Sequence, residues 1–310
     1  MRVAWSLARG VLPDYFSKFS RHDFTVPQLF ACLVVKEQQR KTYRDVEALL
    51  RDAPHWCRDI GMGKVPDHNT LCRAFHALNL TRRTGRLLDR LTQWFAVAKQ
   101  LGSIVALDSS LYEARYRSRH YEQRCRHYAP SSSSSSSPRK RSANARRSHT
   151  ARQCPKLGIG VCTRSHLILS ARARTGFGSD CPDFAPLLFD AWRRHPRLRT
   201  ALADAGFDSE ANHRIARHDL GVRSIIKTGI GRPSKRPPGG YYRRLMSKRL
   251  KGSQKGKTYG QRAQAETVNS MLKRNLGDAL RSRSPRARRN EQLLRVLTHN
   301  IALLCDEMEG

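Results

Sequence analysis

The stretch Tyr259-Gly-Gln-Arg262-Ala-Gln-Ala-Glu266-Thr-Val-Asn-Ser-Met-Leu-Lys273 has the residue spacing of one amphipathic helix. At about 100° per residue, the four numbered residues fall on one narrow face. The opposite side of the same helix is apolar and carries Ala265, Val268, Met271, Leu272 and Leu276. The pattern predicts a helix that packs this side on a core and exposes one carboxylate among two cations and an aromatic ring.

The spacing Tyr-(2)-Arg-(3)-Glu-(6)-Lys resembles the signature of prokaryotic DDE transposases of the insertion-sequence-four and insertion-sequence-five group. The resemblance implies an RNase H-like fold, a DNA substrate and a catalytic Glu266. It also implies that Tyr259, Arg262 and Lys273 contact DNA. An ordinary solvated helix face is the alternative interpretation, and two further carboxylates are needed to decide between them.

The composition favours a nucleic-acid partner. Among 310 residues, 59 Lys plus Arg stand against 25 Asp plus Glu, which gives a formal charge of +34. Such self-repulsion is best tolerated beside a polyanion. The chain has no apolar run long enough for a membrane span, so we expect no membrane partner. Its eight cysteines include no Cys-x-x-Cys pair, which predicts reduced thiols and a cytoplasmic, nucleoid-associated protein.

The amino-terminal third has helical periodicity. Apolar residues recur at helical intervals from residue 25 to about residue 99, and Pro, Gly and capping residues separate the segments. We predict an all-helical domain over residues 1–100 and a catalytic domain over residues 101–310. The helical domain is expected to bind DNA, as a helix-turn-helix-like module does, or only to pack and dimerise.

Asp108 ends the short apolar run Leu101-Gly-Ser-Ile-Val-Ala-Leu-Asp108. The run predicts a central strand that delivers a carboxylate to the rim of a sheet, where a metal ion could neutralise it. A capping or salt-bridge role is the alternative. The following residues, about 116–153, are basic, contain seven consecutive serines at 131–137 and lack periodicity. They predict a disordered insertion, with a nonspecific DNA-gripping arm as the alternative.

Asp204 is the second candidate carboxylate. Residues 156–162 and 167–171 predict a hairpin, and residues 198–203 then form another apolar run that ends at Asp204. The sequence Asp204-Ala-Gly-Phe resembles the Asp-x-Gly-(Tyr or Phe) turn that carries the family's second catalytic Asp. Asp208 is the main rival, although a role in capping or orienting the turn suits it better, and Asp180 is a weaker one.

A fifth strand is predicted over residues 222–228, which completes an α/β fold: an RNase H-like mixed five-stranded sheet with flanking helices, preceded by the helical domain. Residues of about 229–258 are rich in Lys, Arg, Pro and Gly. We predict a DNA-facing loop in which cations grip phosphates and tyrosines stack on bases, or else an unstructured basic linker. Its candidate DNA-binding residues are Tyr241, Tyr242, Arg243 and Arg244.

Three carboxylates that converge from two strands and a helix would bind two divalent ions. Oxygen-only ligands suit Mg²⁺ or Mn²⁺. The expected function is metal-dependent cleavage at the terminal inverted repeats of an insertion sequence, followed by transfer into double-stranded target DNA, and the resemblance implies a homodimer in the DNA complex. A non-catalytic basic DNA-binding protein, such as an inactive transposase remnant, and an RNase H-fold nuclease are the alternatives.

Overall fold

The computed structural model describes residues 1–114, 154–176, 178–229, 237–250 and 256–309. The chain up to the first strand is helical, as the sequence predicts, and its helices are α1 Arg2–Arg9, α2 Val26–Gln38, α3 Tyr43–Asp52, α4 Pro54–Arg58, α5 His68–Ala77 and α6 Leu80–Val97. Thr42 begins α3 with a capping box, in which Thr42 and Asp45 each accept a hydrogen bond from the other's backbone N–H. The capping box satisfies two backbone N–H groups that would otherwise lack a partner at the start of the helix.

The strands of the main sheet are β1 Ile104–Leu111, β3 Lys156–Cys162, β4 Ile168–Arg174, β5 Thr200–Ala203 and β6 Arg223–Ile226. They lie in the order β4-β3-β1-β5-β6. The first three strands along the chain pair antiparallel, whereas β5 pairs parallel to β1 and β6 parallel to β5. This order and these directions confirm the predicted RNase H-like mixed sheet.

A second, two-stranded sheet joins the exit of β1 to a later part of the chain. Its strands are β2 Glu113–Ala114 and β7 Ala279–Leu280, which pair parallel to each other. The sequence analysis did not predict it, because two-residue strands have no periodicity to detect.

Helices cover the sheet. They are α7 Phe184–Arg194, α8 Glu210–Arg214, α9 Tyr241–Leu250, α10 Lys257–Gly260, α11 Ala263–Leu276 and α12 Pro285–Glu309. The helix α7 packs on β3 and β4, while α11 packs on β1 and β3. The carboxyl-terminal α12 packs both on β4 and on the amino-terminal helices α2 and α6. One continuous cluster of buried apolar residues therefore extends from the helical region into the sheet.

The stretch from Tyr259 to Lys273 is not one helix, which corrects the prediction. Tyr259 belongs to the four-residue α10, and α11 begins only at Ala263. Between them the backbone makes four-residue turns, in which the N–H of Arg262 donates to the carbonyl of Tyr259 at 3.0 Å. Gly260, a poor helix former, lies at this interruption. Tyr259 therefore lies in a different helix from Glu266, although the charges of Arg262 and Glu266 still act on its hydroxyl.

The predicted basic loop also contains regular structure. Residues 241–250 form α9, so the expectation of a loop or linker over 229–258 is wrong for this part. Residues 230–236 and 251–255 lie outside the described residues, as does the predicted insertion at about 116–153. Within the described ranges, no helix combines the length and apolar composition needed to cross a membrane.

Candidate active site

The sheet places Asp108 and Asp204 side by side. Leu107 of β1 pairs with Ala203 of β5 in parallel register, and each aspartate is the next residue in its strand direction. Asp108 is not at the end of β1 as predicted, because β1 continues to Leu111 along its antiparallel neighbour β3. The parallel pairing with β5 ends at Leu107 instead. The two carboxylates thus come together where one side of β1 loses its partner.

Asp108 is half-buried and accepts a hydrogen bond from the helix α11. The side-chain amide of Asn269 on α11 donates to Asp108 Oδ2 at 2.9 Å. Burial raises the pKa of Asp108, and the charge of Asp204 adds to the increase. The Asn269 hydrogen bond and the positive charge of Arg262 oppose it. The ionised form of Asp108 is therefore under electrostatic strain.

Asp204 shows the same strain in a different setting. Its Oδ1 accepts a hydrogen bond from the N–H of Gly206 at 2.9 Å. Burial is the main reason that the pKa of Asp204 is raised, and the nearby Asp180 carboxylate contributes. A Cβ atom at Gly206 would lie 3.0 Å from both Asp180 Oδ2 and Asp204 Oδ1, so only glycine fits between these carboxylates without displacing one.

Asp180, the weakest rival in the sequence, lies beside Asp204 and is held by two side chains. Lys156 Nζ lies 2.6 Å from Asp180 Oδ1, and the hydroxyl of Ser109 donates to the same oxygen. Lys156 opens β3 and Ser109 follows Asp108 in β1. The charge of Asp180 is therefore balanced by a direct ion pair, whereas the positive charges near Asp108 and Asp204 only partly offset the cost of burying them.

Asp208, the main rival, is fully buried and faces away from this cluster toward α9. The guanidinium of Arg243 donates to both its oxygens, with Nη2 at 2.7 Å from Oδ2 and Nε at 3.1 Å from each oxygen. Glu210 accepts hydrogen bonds from the backbone N–H groups of Tyr242 and Arg243. These two acids fix the start of α9, which is a structural role.

Glu266 is not joined directly to the two aspartates. It lies in the first turn of α11, its side chain is 55% exposed, and its Oε1 lies 2.6 Å from Arg262 Nη2. Burial lowers the pKa of Arg262, but the hydrogen bond and charge of Glu266 outweigh it, so the pKa is raised. Among the described residues, no three His, Cys, Asp or Glu side chains stand close enough together to hold a metal ion.

Arg262 links the three predicted catalytic residues. Its positive charge acts on Asp108 and on Asp204 while its guanidinium pairs with Glu266. Tyr259 is half-buried nearby, and its hydroxyl points to the carbonyl oxygen of Ala203 at 3.5 Å, a distance at the weak limit of a hydrogen bond. Burial raises the pKa of Tyr259.

Lys273 lies two turns beyond Glu266 on α11. It is half-buried, and its ammonium lies 5.6 Å from the centre of the Tyr112 ring, within the range of a cation–π contact. The aromatic ring covers part of a cation that the resemblance assigns to DNA.

The four predicted DNA-binding residues of the basic segment divide into two pairs. Tyr241 and Arg244 are exposed on α9. Tyr242 packs under the guanidinium of Arg217 at 4.9 Å, and its hydroxyl lies 2.9 Å from His218 Nε2. Arg243 is committed to Asp208. The exposed pair can reach a ligand, whereas the other pair holds α9 in place.

Sequence reasoning missed Asn269, Ser109 and Lys156. Asn269 is three residues after Glu266 and is almost fully buried. Its signal was a polar residue at the border of the apolar side of the helix, where a buried amide needs a partner. Ser109 and Lys156 gave no comparable signal, because only strand pairing shows which residues face Asp180.

The strand order and the adjacent aspartates define an RNase H-like protein with a carboxylate pair between its parallel central strands. A family model described as a transposase DDE domain matches residues 99–301, more than half of the chain. The chain therefore belongs to the transposase DDE domain family.

Two solved structures of Mos1 transposase are similar to this chain at 13% identity. For the paired-end complex with left transposon end, the match covers 69% of this chain and 61% of that chain, with a TM-score of 0.23. For the pre-cleavage Mos1 transpososome it covers 96% and 82%, with a TM-score of 0.25. The chain thus spans less than two thirds of the first, and neither superposes closely enough to transfer residue positions. No curated protein matches the chain.

Proposed function

We propose that this chain is a DNA transposase that cleaves strands at the ends of an insertion sequence and joins them to target DNA. The observation that carries the proposal is the register pair Leu107 and Ala203, which sets Asp108 beside Asp204 inside the matched family domain. The helix that carries Glu266 packs on the same strand β1. The finer assignment to the insertion-sequence-four and insertion-sequence-five group rests on the Tyr259, Arg262, Glu266 and Lys273 spacing.

A divalent cation fits the aspartate pair. Its donors are carboxylate oxygens, which suit Mg²⁺ or Mn²⁺, and the family generally uses divalent metal ions. Burial and mutual repulsion both disfavour the ionised pair, and a bound cation would offset both effects. We assign Asp108 and Asp204 as ligands, and Glu266 as the third ligand of a two-ion site.

When bound, the ions would activate the attacking oxygen and stabilise the leaving oxygen of an in-line displacement. The chain's own groups position the reaction. Asn269 holds one oxygen of Asp108, and the N–H of Gly206 holds one oxygen of Asp204. These hydrogen bonds orient the two carboxylates toward a shared ligand.

Glu266 must leave Arg262 to join the aspartates. An exposed ion pair four residues apart on a helix is worth only about 0.3–0.5 kcal/mol, so this exchange costs little. The order Arg before Glu is also the weaker orientation for such a pair. A DNA phosphate would take the place of Glu266 on Arg262, since a guanidinium binds both groups with the same fork of donors.

The substrate class that fits this assignment is double-stranded DNA, comprising terminal inverted repeats and a target. The excess positive charge of the chain supports it. We expect a homodimer in the DNA complex and a nucleoid-associated location. Tyr241 and Arg244 are the members of the basic segment that we retain as DNA contacts, and Tyr259 and Lys273 remain candidates.

Cleavage of a plasmid that carries the DNA flanking the coding sequence tests the assignment, with Mg²⁺ or a chelator. Asp108→Asn, Asp204→Asn and Glu266→Gln should each lower cleavage by about 10²–10³-fold, the usual effect of removing one group that stabilises transition-state charge. Asp219→Asn is the matched control, since Asp219 is exposed.

Duplex binding by the same variants should stay within a few-fold of the wild type. Full cleavage by the Glu266→Gln variant would remove Glu266 from the site. If the wild type binds DNA but never cuts it, the alternative of a non-catalytic DNA-binding remnant is correct. The ion pair between Glu266 and Arg262 is also compatible with that alternative.

A further inference from the structure

A cavity of about 250 Å³ opens at the carboxyl-terminal end of α11. Three of its seven lining residues are arginines from distant parts of the chain: Arg40 follows α2, Arg281 follows β7, and Arg295 lies in α12. A water molecule takes about 30 Å³ in the liquid, so the cavity has room for a small anion and its hydration.

Two guanidinium groups converge over Gly277, the glycine that ends α11. Gly277 has a φ of +101°, a backbone conformation that favours glycine. A Cβ atom there would lie 3.4 Å from Arg40 Nη2 and 3.8 Å from Arg295 Nη2. The absence of a side chain leaves the space between these cations open to a ligand.

The charge of Arg295 is already matched inside the protein. Arg295 is almost fully buried, lies 2.8 Å from Glu291 and 3.5 Å from Glu37, and donates to the carbonyl oxygen of Gly277 at 2.6 Å. Its side chain is therefore held in place and forms one side of the cavity.

The charges of Arg40 and Arg281 are balanced less well by acidic groups. Arg40 is exposed, and within the described ranges its side chain donates a single long hydrogen bond of 3.4 Å, to the carbonyl oxygen of Arg274. Among the described residues no carboxylate lies within 4.0 Å of the Arg281 guanidinium. The backbone N–H of Arg281 donates to Glu291 Oε1 at 2.9 Å, and the charge of Asp45 acts on its side chain. Asp278 is the one acid in the lining. The lining therefore holds three arginines against one acid, and among the described residues the guanidinium groups of Arg40 and Arg281 form no ion pair.

A second cavity of about 340 Å³ shows the contrast. It is also rich in arginine, but Arg172 and Arg174 pair with Asp183, while Arg193 and Arg194 pair with Asp89. Four of its five guanidinium groups are already paired with carboxylates, and only Arg82 has no ion pair within the described part of the chain. It therefore holds one unpaired arginine where the first cavity holds two.

We propose that the cavity at Gly277 binds one phosphate of the DNA backbone, held by Arg40 and Arg281 against Arg295. This inference rests on the proposed function, because it requires DNA on the surface that carries Glu266. Guanidinium groups bind phosphate through paired N–H donors, which makes arginine the suitable residue for this position.

The helix α11 determines the distance between Glu266 and the cavity at Gly277. Gly277 follows Glu266 by eleven residues, which is about 16 Å at 1.5 Å per residue. That distance equals about five base pairs of a duplex at 3.4 Å each. A duplex of about 20 base pairs is therefore long enough to contact both points and is the probe of choice.

The test measures duplex binding against salt concentration in chelator, so that cleavage plays no part. The variants are Arg40→Gln, Arg281→Gln and the double variant. Arg197→Gln is the matched control, because Arg197 is exposed and precedes β5, at the end of the strand opposite Asp204. Thermal melting of each variant checks that it is folded.

Because both arginines hold the same phosphate, the double variant should lower the salt slope by about one and no more. Its affinity near 0.1 M salt should fall roughly tenfold, as one lost phosphate contact implies. The control should bind as the wild type does. A slope lowered by about two would place the arginines on separate phosphates and overturn the shared cavity.

Unchanged duplex binding by the folded double variant would also overturn this inference, while leaving the proposed function standing. Absence of duplex binding by the wild type would instead remove the proposed function itself. Inorganic phosphate is the second probe. If it binds at micromolar concentration and the double variant loses only that binding, the cavity serves a free anion and the assignment to DNA is wrong.

Discussion

The two aspartates and the glutamate of the candidate site are held in different ways. Asp108 and Asp204 are fixed by adjacent strands in register, are partly buried, and repel each other. Glu266 stands on a helix, is more than half exposed, and rests on Arg262. The sheet thus fixes the two aspartates and their electrostatic strain in advance, whereas the glutamate, as the proposed third ligand, would first have to leave its ion pair with Arg262.

Of the substitutions that test this difference, Asn269→Asp should change the free energy of unfolding most. It replaces a hydrogen bond to Asp108 with a third negative charge in a buried position. We expect the free energy of unfolding in chelator to fall by about 3 kcal/mol, the upper range for losing a hydrogen bond to a charged group. Urea unfolding measures it.

Asn269→Leu is the control for that experiment, because it removes the hydrogen bond without adding charge. It should cost less than Asn269→Asp. If the two variants were equally stable, the charge of Asp108 would not be felt at this position.

Asp108→Asn should stabilise the metal-free protein by about 1 kcal/mol, as substitutions that relieve strain at functional sites do. An asparagine oxygen can still accept the hydrogen bond from Asn269. Added Mg²⁺ should raise the melting temperature of the wild type more than that of the variant, because binding to the native state stabilises it. Asp219→Asn should change neither the stability in chelator nor the rise in melting temperature with Mg²⁺. If Asp108→Asn were no more stable than the wild type in chelator, the ionised Asp108 would not be under electrostatic strain.

The same electrostatic strain should make the stability of the protein depend on pH. Burial raises the pKa of Asp108 and of Asp204 in the native state above the unfolded value of about 3.9. At these two groups the native state then binds more protons than the unfolded state, so the pair contributes stability that grows as pH falls from neutrality through the native pKa values. The advantage of the Asp108→Asn, Asp204→Asn double variant should shrink over this range and vanish below about pH 3.9.

Unfolding by urea in chelator at several pH values from neutral to acid checks this, with the double variant compared at each pH. A difference that stays constant across the range would show that the two carboxylates titrate normally.

Glu266→Gln should have the smallest effect on stability. Its partner Arg262 and its own side chain are accessible to water, and such pairs contribute less than about 0.5 kcal/mol. Urea unfolding should therefore scarcely separate this variant from the wild type. A loss of 2 kcal/mol or more, well above the usual range for an exposed pair, would mean that the glutamate is as firmly built in as the aspartates.

The sequence sufficed for the five strands of the main sheet, because short apolar runs bounded by turn residues predict them. The adjacency of Asp108 and Asp204 followed from the family resemblance, since a run that ends in a carboxylate does not show which strand lies next to it. It could not show that β1 continues past Asp108, since this depends on pairing with β3. It also treated the stretch after Tyr259 as one helix, because periodicity alone does not reveal a break at Gly260.

The DNA-binding predictions show the same limit. Composition marks residues 241–244 as basic and aromatic but cannot show which cations are used internally. Arg243 serves the buried Asp208, a partner 35 residues away, while Arg244 remains exposed. Asn269 and Arg281 were passed over because their importance depends on contacts made across the fold.

The register between β1 and β5 has a consequence for the gene. Successive strand residues face opposite sides of a sheet, so the loss of one codon among those for residues 104–107 would turn Asp108 to the wrong surface. A frame-preserving deletion there should abolish recombination as completely as loss of the aspartate itself, even if the shortened polypeptide still folds.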